Sequence, residues 1–314
     1  MTASPTADRT ADAAAARRFD LWGVPFDGGS TLGRPGSRYA PARIRESLGW
    51  ITQRVQDGVV YSLETDAFHL IGDDLLTDRG DVDVVPFDLE ATTRACSDAV
   101  AESIAGGRVP IVLGGDDALF FPVVRGLHEA VEGSVGVVHF DAHLDLLDRN
   151  PHQGSLSQSS GMRRSLELDR VSAATCIQVG SRHFNFPSSG ALKREKELRH
   201  ISSREFQALG PAAAAEAILD RVGGADHLFL SFDIDAIDPD FAPGSGAHEP
   251  GGLTSTEALE IVRLLAPHCA GLAITEVNPM VDLAGATTTL AAYLLYHFAV
   301  FGSDAPVLAE PPTR

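Results

Sequence analysis

The chain has 314 residues, 44% of them hydrophobic, enough for one large core, and its formal net charge is −18. That charge repels a phosphate backbone or an anionic membrane surface, so neither a nucleic-acid nor a membrane partner is expected. Three cysteines, Cys96, Cys176 and Cys269, are odd in number and far apart; this fits neither a disulfide framework nor a thiolate metal site and suits a cytoplasmic setting.

Residues 1–16 are Ala, Thr and Asp with scattered Arg and lack the apolar stretch of a signal peptide. They are expected to be a disordered tail, followed by a single domain over 17–305 and a short tail at 306–314. Within the domain, short β-rich apolar runs alternate with longer helical stretches. Strands are expected at 19–24, 67–72, 109–113, 135–140, 176–179, 199–201, 228–233 and 271–276, and helices at 42–50, 89–105, 119–132, 211–222, 254–266 and 287–301. This alternation predicts an α/β fold, a three-layer α/β/α arrangement around a mainly parallel sheet of about eight strands. Two long loops interrupt it, 145–161 and 236–253. Loops of that length in a compact domain tend to line a functional site.

Three of the expected strands end in acidic clusters: Gly114-Gly115-Asp116-Asp117, then Asp141-Ala142-His143-Leu144-Asp145, then Asp233-Ile234-Asp235. In an open parallel sheet, ligands bind in the crevice outside the carboxyl ends of the strands, so these clusters should converge. Residues two apart leave the same face of an extended chain. Carboxylates crowded in this way resist joint ionisation unless cations compensate them. Metal is therefore the expected partner. Oxygen-dominated ligation with one or two imidazoles suits Mn²⁺, with Ni²⁺, Co²⁺ or Fe²⁺ as lesser options.

With these clusters go Gly23-Val24-Pro25-Phe26-Asp27, Arg34-Pro35-Gly36-Ser37-Arg38, Glu249-Pro250-Gly251-Gly252-Leu253-Thr254 and Glu276-Val277-Asn278-Pro279. On these motifs nearly the whole chain resembles the ureohydrolase family of arginases and agmatinases, nearest its agmatinase branch. The resemblance implies two metal ions, one held by Asp117, Asp141, Asp145 and Asp233. The other would be held by His143, Asp141, Asp233 and Asp235, with Asp141 and Asp233 bridging. A water activated between the ions would attack a guanidinium carbon and release urea and an amine. Glu276 matches the carboxylate that orients the substrate. An assembly, trimer or hexamer, is also implied.

Two positions depart from the family pattern. Most relatives carry His where this chain has Asp117; an added carboxylate should strengthen the binding of hard cations and weaken their Lewis acidity. Gln158 stands where arginases and agmatinases carry a loop histidine, and glutamine cannot titrate. His152 or His183 is a candidate replacement, and Arg163 and Arg164 are candidates for pairing with a substrate carboxylate. The expected catalytic set is thus Asp145, His143, Glu276 and Gln158, and the expected substrate-binding set Glu276, Gln158, His183 and Arg163. A small guanidino compound is the expected substrate. The missing loop histidine and Ser160-Gly161 also suit a formimidoylglutamase-like hydrolase that releases formamide. The two substitutions together are compatible with a weakly active or non-catalytic subunit of a mixed oligomer.

Overall fold

A computed structural model describes residues 16–30, 34–152 and 154–310. Eleven strands are found among them. The central sheet is built from β1 (Phe19–Gly23), β4 (Leu76–Asp81), β5 (Val109–Leu113), β6 (Val135–Phe140), β7 (Val171–Val179), β8 (Arg199–Ile201), β9 (His227–Asp233) and β10 (Gly271–Thr275). Their order across the sheet is β4-β1-β5-β10-β9-β6-β7-β8, and every pairing is parallel. A small antiparallel sheet joins β2 (Val59–Ser62), β3 (Ala67–Leu70) and β11 (Val307–Leu308).

The eight helices among the described residues are α1 (Ala40–Thr52), α2 (Leu89–Ala105), α3 (Phe120–Ala130), α4 (Gly161–Ser165), α5 (Pro187–Glu195), α6 (Ser203–Val222), α7 (Ser255–Leu265) and α8 (Ala286–Phe301). They cover both faces of the sheet because parallel neighbours need a crossover. The strands supply side chains alternately to two cores. Ile111, Leu113, Val138, Phe140, Leu230 and Phe232 face α1, α6, α7 and α8. Val112, Val135, Val137, Phe229 and Ala273 face α2 and α3. A strand buried on both sides reads as a continuous apolar run, which is why these segments were recognisable.

The parallel α/β architecture agrees with expectation, with three corrections. The stretch at 67–72 belongs to the small sheet, and its place in the large one is taken by Leu76–Asp81, whose sequence Leu-Thr-Asp-Arg-Gly-Asp lacks apolar alternation. An edge strand with one paired side tolerates such composition. Val307 and Leu308, expected in a tail, pair with His69 and Phe68. Helix α6 begins before the expected start at 211: Gly210, at φ 74°, joins two helical segments just ahead of Pro211. Residues 1–15 lie outside the described part. Among the described residues no helix is long and apolar enough to cross a membrane.

Candidate metal centre

Four adjacent central strands, β5, β10, β9 and β6, bring their carboxyl ends together, and each delivers acidic residues there. Asp117 follows β5, Glu276 follows β10, Asp233 ends β9 with Asp235 just beyond, and Asp141, His143 and Asp145 follow β6. The backbone permits the approach at Gly115, where a Cβ would stand 1.5 Å from the Phe26 carbonyl oxygen. Only glycine fits there. Asp145 (φ 48°) and Glu276 (φ 62°) adopt left-handed backbone conformations. Such conformations are costly outside glycine and cluster at functional sites.

All six acids are buried, none more than 7% exposed. Glu276 Oε1 accepts the Asp117 backbone N–H at 2.8 Å, and Thr275 Oγ1 donates to Asp117 Oδ1 at 2.6 Å. Asp233 Oδ1 accepts the Asp235 N–H at 2.8 Å, and Asp235 Oδ1 accepts the Ala142 N–H at 2.9 Å. His143 sits between two carboxylates, its Nδ1 at 3.2 Å from Asp141 Oδ1 and 3.1 Å from Asp235 Oδ2. Its Nε2 faces Glu249 Oε1 at 3.9 Å.

Beneath the cluster lies His139, a residue that the sequence reading missed. Its ring is fully buried and stacked on Phe120, centroids 4.3 Å apart. Nε2 is 3.2 Å from Asp141 Oδ2 and 3.8 Å from Asp117 Oδ2. These are ion-pair contacts, and none of the three atoms has an aligned hydrogen-bond partner. Period-two spacing from Asp141 was the available signal, since positions 139 and 141 share a strand face.

Burial dominates the electrostatics. It pushes the Asp117 carboxyl up to about 7, with Asp141 adding to the effect. Asp145, Asp233 and Glu276 are pushed well above the usual carboxylate range by burial and then by neighbouring acids, and Asp235 is raised for the same reasons. Burial also works to raise Asp141, but His139 and His143 outweigh it and hold that carboxyl well below its ordinary value. Burial disfavours charge on His143, yet Asp235 and Asp141 outweigh it and lift the imidazole to about 12. An acid-rich pocket of this kind is stable with its acids ionised only if cations replace the protons.

The donor set fits divalent metal. Ligand atoms of Asp117, His139, Asp141 and Asp145 lie within 4.8 Å of one another, as do those of Asp141, His143 and Asp235. Buried polar atoms without partners, Asp117 Oδ2 and Asp141 Oδ2, sit in the first group. Hard cations prefer such oxygen-rich surroundings.

The cluster forms the floor of a cavity of about 360 Å³, whose walls include Gln158, Asn150, Ser159, Phe184 and Phe186. Of the expected substrate-binding residues, Glu276 and Gln158 line this cavity; His183 and Arg163 are not among its lining residues. His183 is exposed, with its ring on the Pro250 carbonyl at 2.7 Å. Arg163 pairs with Asp148 and Glu167 at 3.6 and 3.4 Å, and Arg164 pairs with the same two acids at 2.6 and 3.1 Å. Helix α4 turns these arginines toward acids on their own side, and local pairs of this kind compete with any substrate. His152 is exposed and also absent from the lining.

The other sequence motifs brace the loops around the cavity. Asp27 accepts from Gly36 N at 2.7 Å and from Arg38 Nε at 2.6 Å, joining the two N-terminal motifs. Asn278 Nδ2 donates to the Arg34 carbonyl at 2.9 Å. Asp238 Oδ2 accepts from Gly251 and Gly252, and Thr254 with Glu257 forms the capping box that opens α7.

The arginase family model matches residues 17–300. A guanidinopropionase from Pseudomonas aeruginosa is 35% identical over 285 residues, covering 90% of this chain and 86% of that protein. The solved formimidoylglutamase from Bacillus subtilis superposes with a TM-score of 0.80 at 28% identity, over 90% of this chain and 86% of that one. A crystal structure of Trypanosoma cruzi formiminoglutamase with Mn²⁺ gives a TM-score of 0.79 at 25% identity, over 91% and 93% of the two chains.

Proposed function

Because the chain belongs to the arginase family, whose members hydrolyse C–N bonds, we propose that it cleaves a small guanidino compound at a two-metal centre and releases urea. The observation that carries this reading is the set of six buried acids at the carboxyl edge, with Asp117 Oδ2 and Asp141 Oδ2 left without hydrogen-bond partners. In the proposed assignment Asp117, Asp141, Asp145 and Asp233 hold one ion. His143, Asp141, Asp233 and Asp235 hold the other. Mn²⁺ is the proposed metal, supported by the oxygen-rich donors and by the Mn²⁺ of the trypanosomal relative. When bound, such ions lower the pKa of water and polarise the carbon under attack.

The chain's own residues supply the rest. Glu276 accepts hydrogen bonds from the guanidinium and fixes its plane, while its Oε1 remains anchored on the Asp117 N–H. Its left-handed backbone is consistent with a side chain held for such a task. Asp145, a carboxyl on the floor of the cavity, is proposed to move a proton toward the leaving amine. Gln158 faces the substrate as a hydrogen-bonding amide. A homo-oligomer, trimer or hexamer, belongs to the same proposal; the exposed Met280 and Leu283 support it, and sedimentation would measure it.

A second reading, formimino hydrolysis with release of formamide, is favoured by Gln158 standing on the cavity wall, with His143 of the acidic cluster the one histidine among the described lining residues. One experiment separates the two. The Mn²⁺-loaded protein is incubated with agmatine, 4-guanidinobutyrate, 3-guanidinopropionate and a formimino amino acid, and urea and formamide are both measured. Urea from a guanidino compound supports the first reading. Formamide without urea selects the second, and turnover of none of them contradicts both.

A further inference from the structure

The ring of His139 is supported on every side that the described contacts define. Phe120 stacks on it at an interplanar angle of 19°. On the neighbouring strand Gln178 is its register partner in β7, so the two side chains leave the same face of the sheet. Gln178 Nε2 donates to the Leu144 carbonyl at 2.6 Å, which fixes which end of the amide carries nitrogen, because the reverse orientation would set two carbonyl oxygens against each other. The same Nε2 lies 3.4 Å from His139 Nδ1. Amide nitrogen only donates, so Nδ1 accepts and the ring proton resides on Nε2. That proton faces Asp141 Oδ2 at 3.2 Å, with Asp117 Oδ2 behind it at 3.8 Å.

We propose that His139 is a positioning residue for the metal centre. Set in its Nε2–H form by Gln178, it supplies the donor that orients Asp141, and it stands between Asp141 and the additional carboxylate Asp117. The inference rests on the two-metal reading. Through its other oxygen Asp141 accepts the His143 backbone N–H at 2.5 Å, so one carboxylate oxygen is held by a hydrogen bond while the other stands 3.2 Å from His139 Nε2 before an ion is engaged. Groups that orient ligands from behind tune metal affinity without touching the metal.

Full-length protein is stripped of metal and titrated with MnCl₂, following free Mn²⁺ by electron paramagnetic resonance. His139→Phe and His139→Asn, which place no donor at the Nε2 position, should weaken Mn²⁺ binding by about 10–100-fold. His139→Gln carries an amide nitrogen close to that position and should stay within about threefold of the parent. This rescue distinguishes positioning from bulk packing, which the three replacements would disturb alike. Gln178→Leu keeps the ring and its stack but releases the tautomer, so it tests the idea even where His139 replacements fail to fold; a loss of about threefold or more is expected. Wild-type affinity in His139→Phe and Gln178→Leu would overturn the inference while leaving the two-metal reading intact. So would a loss in His139→Gln as large as in His139→Phe, or a Mn²⁺-bound structure with Nε2 among the ligands. Failure of the parent itself to bind Mn²⁺ would instead remove the two-metal reading, and this inference with it.

Discussion

The two halves of the acidic cluster solve the same electrostatic problem differently. In the shallow half His143 lies between Asp141 and Asp235 with its side chain 32% exposed, so an imidazole already sits among the carboxylates. In the deep half Asp117, Asp141 and Asp145 crowd together out of solvent, and the one imidazole, His139, approaches from below. Protein groups go far toward satisfying the first half, whereas the second retains buried oxygens without partners. Buried unpaired charge is the more costly condition, so the deep half should depend more strongly on cations.

The largest perturbation is one that strikes both halves at once. Asp233→Ala removes a proposed bridge and should abolish stoichiometric metal together with at least ~10³-fold of kcat/KM. Metal analysis beside urea kinetics checks it, and full metal retention would refute the bridging assignment. His143→Ala, confined to the shallow half, should leave one ion per chain in the deep half, with activity still falling by about 10²-fold or more. If both ions are lost, the halves are not separable.

How far the sequence foretold this division is instructive. The strand-end acids were legible because parallel strands converge at one edge, so Asp117, Asp141, Asp145, Asp233 and Asp235 could be grouped before any coordinates, whereas Glu276 entered through the family resemblance. His139 was hidden inside the apolar run Val-Gly-Val-Val-His-Phe, where a histidine reads as part of the core. Arg163 was a candidate for its charge and His183 for its titratable ring, each by its place near the cavity loops in the sequence. Their direction depends on helix α4 and on the Pro250 carbonyl, tertiary features that no local pattern encodes. The strand at Leu76–Asp81 was missed for a related reason, its pairing to β1 being decided by the edge it completes and not by its composition.

A pH experiment sharpens the contrast. Burial lifts the Asp116 carboxyl to about 8 and that of Asp117 to about 7, against an ordinary 3.8. Between about pH 4 and pH 8 the folded state therefore holds protons that the unfolded chain has released, and their contribution to stability declines as pH rises through that window. Protein stripped of metal should thus lose several degrees of Tm between pH 6 and pH 8, and added Mn²⁺ should reduce the loss, measured by calorimetry in matched salt. A Tm independent of both would show that these acids do not control stability.

Smaller effects should follow at Asp117 and Gln158, the two positions expected from the sequence to differ from the family pattern. Asp117→His takes one negative charge from the deep half; it should weaken Mn²⁺ binding severalfold while raising kcat by up to about tenfold, read from titration and saturation kinetics. Unchanged values would mean that position 117 does not face the ion. Gln158→His introduces a titratable group on the cavity wall and should raise turnover of guanidino substrates by about two- to tenfold, with a new pH-dependent limb. No change in rate or pH profile would separate Gln158 from proton transfer and from substrate.

The most direct test is diffraction at the Mn absorption edge from crystals grown with saturating Mn²⁺. The account predicts two anomalous peaks at the carboxyl edge, one among Asp117, Asp141 and Asp145 and one beside His143 and Asp235, with Asp141 and Asp233 between them. No anomalous density there, with the same acids turned away from one another, would contradict it.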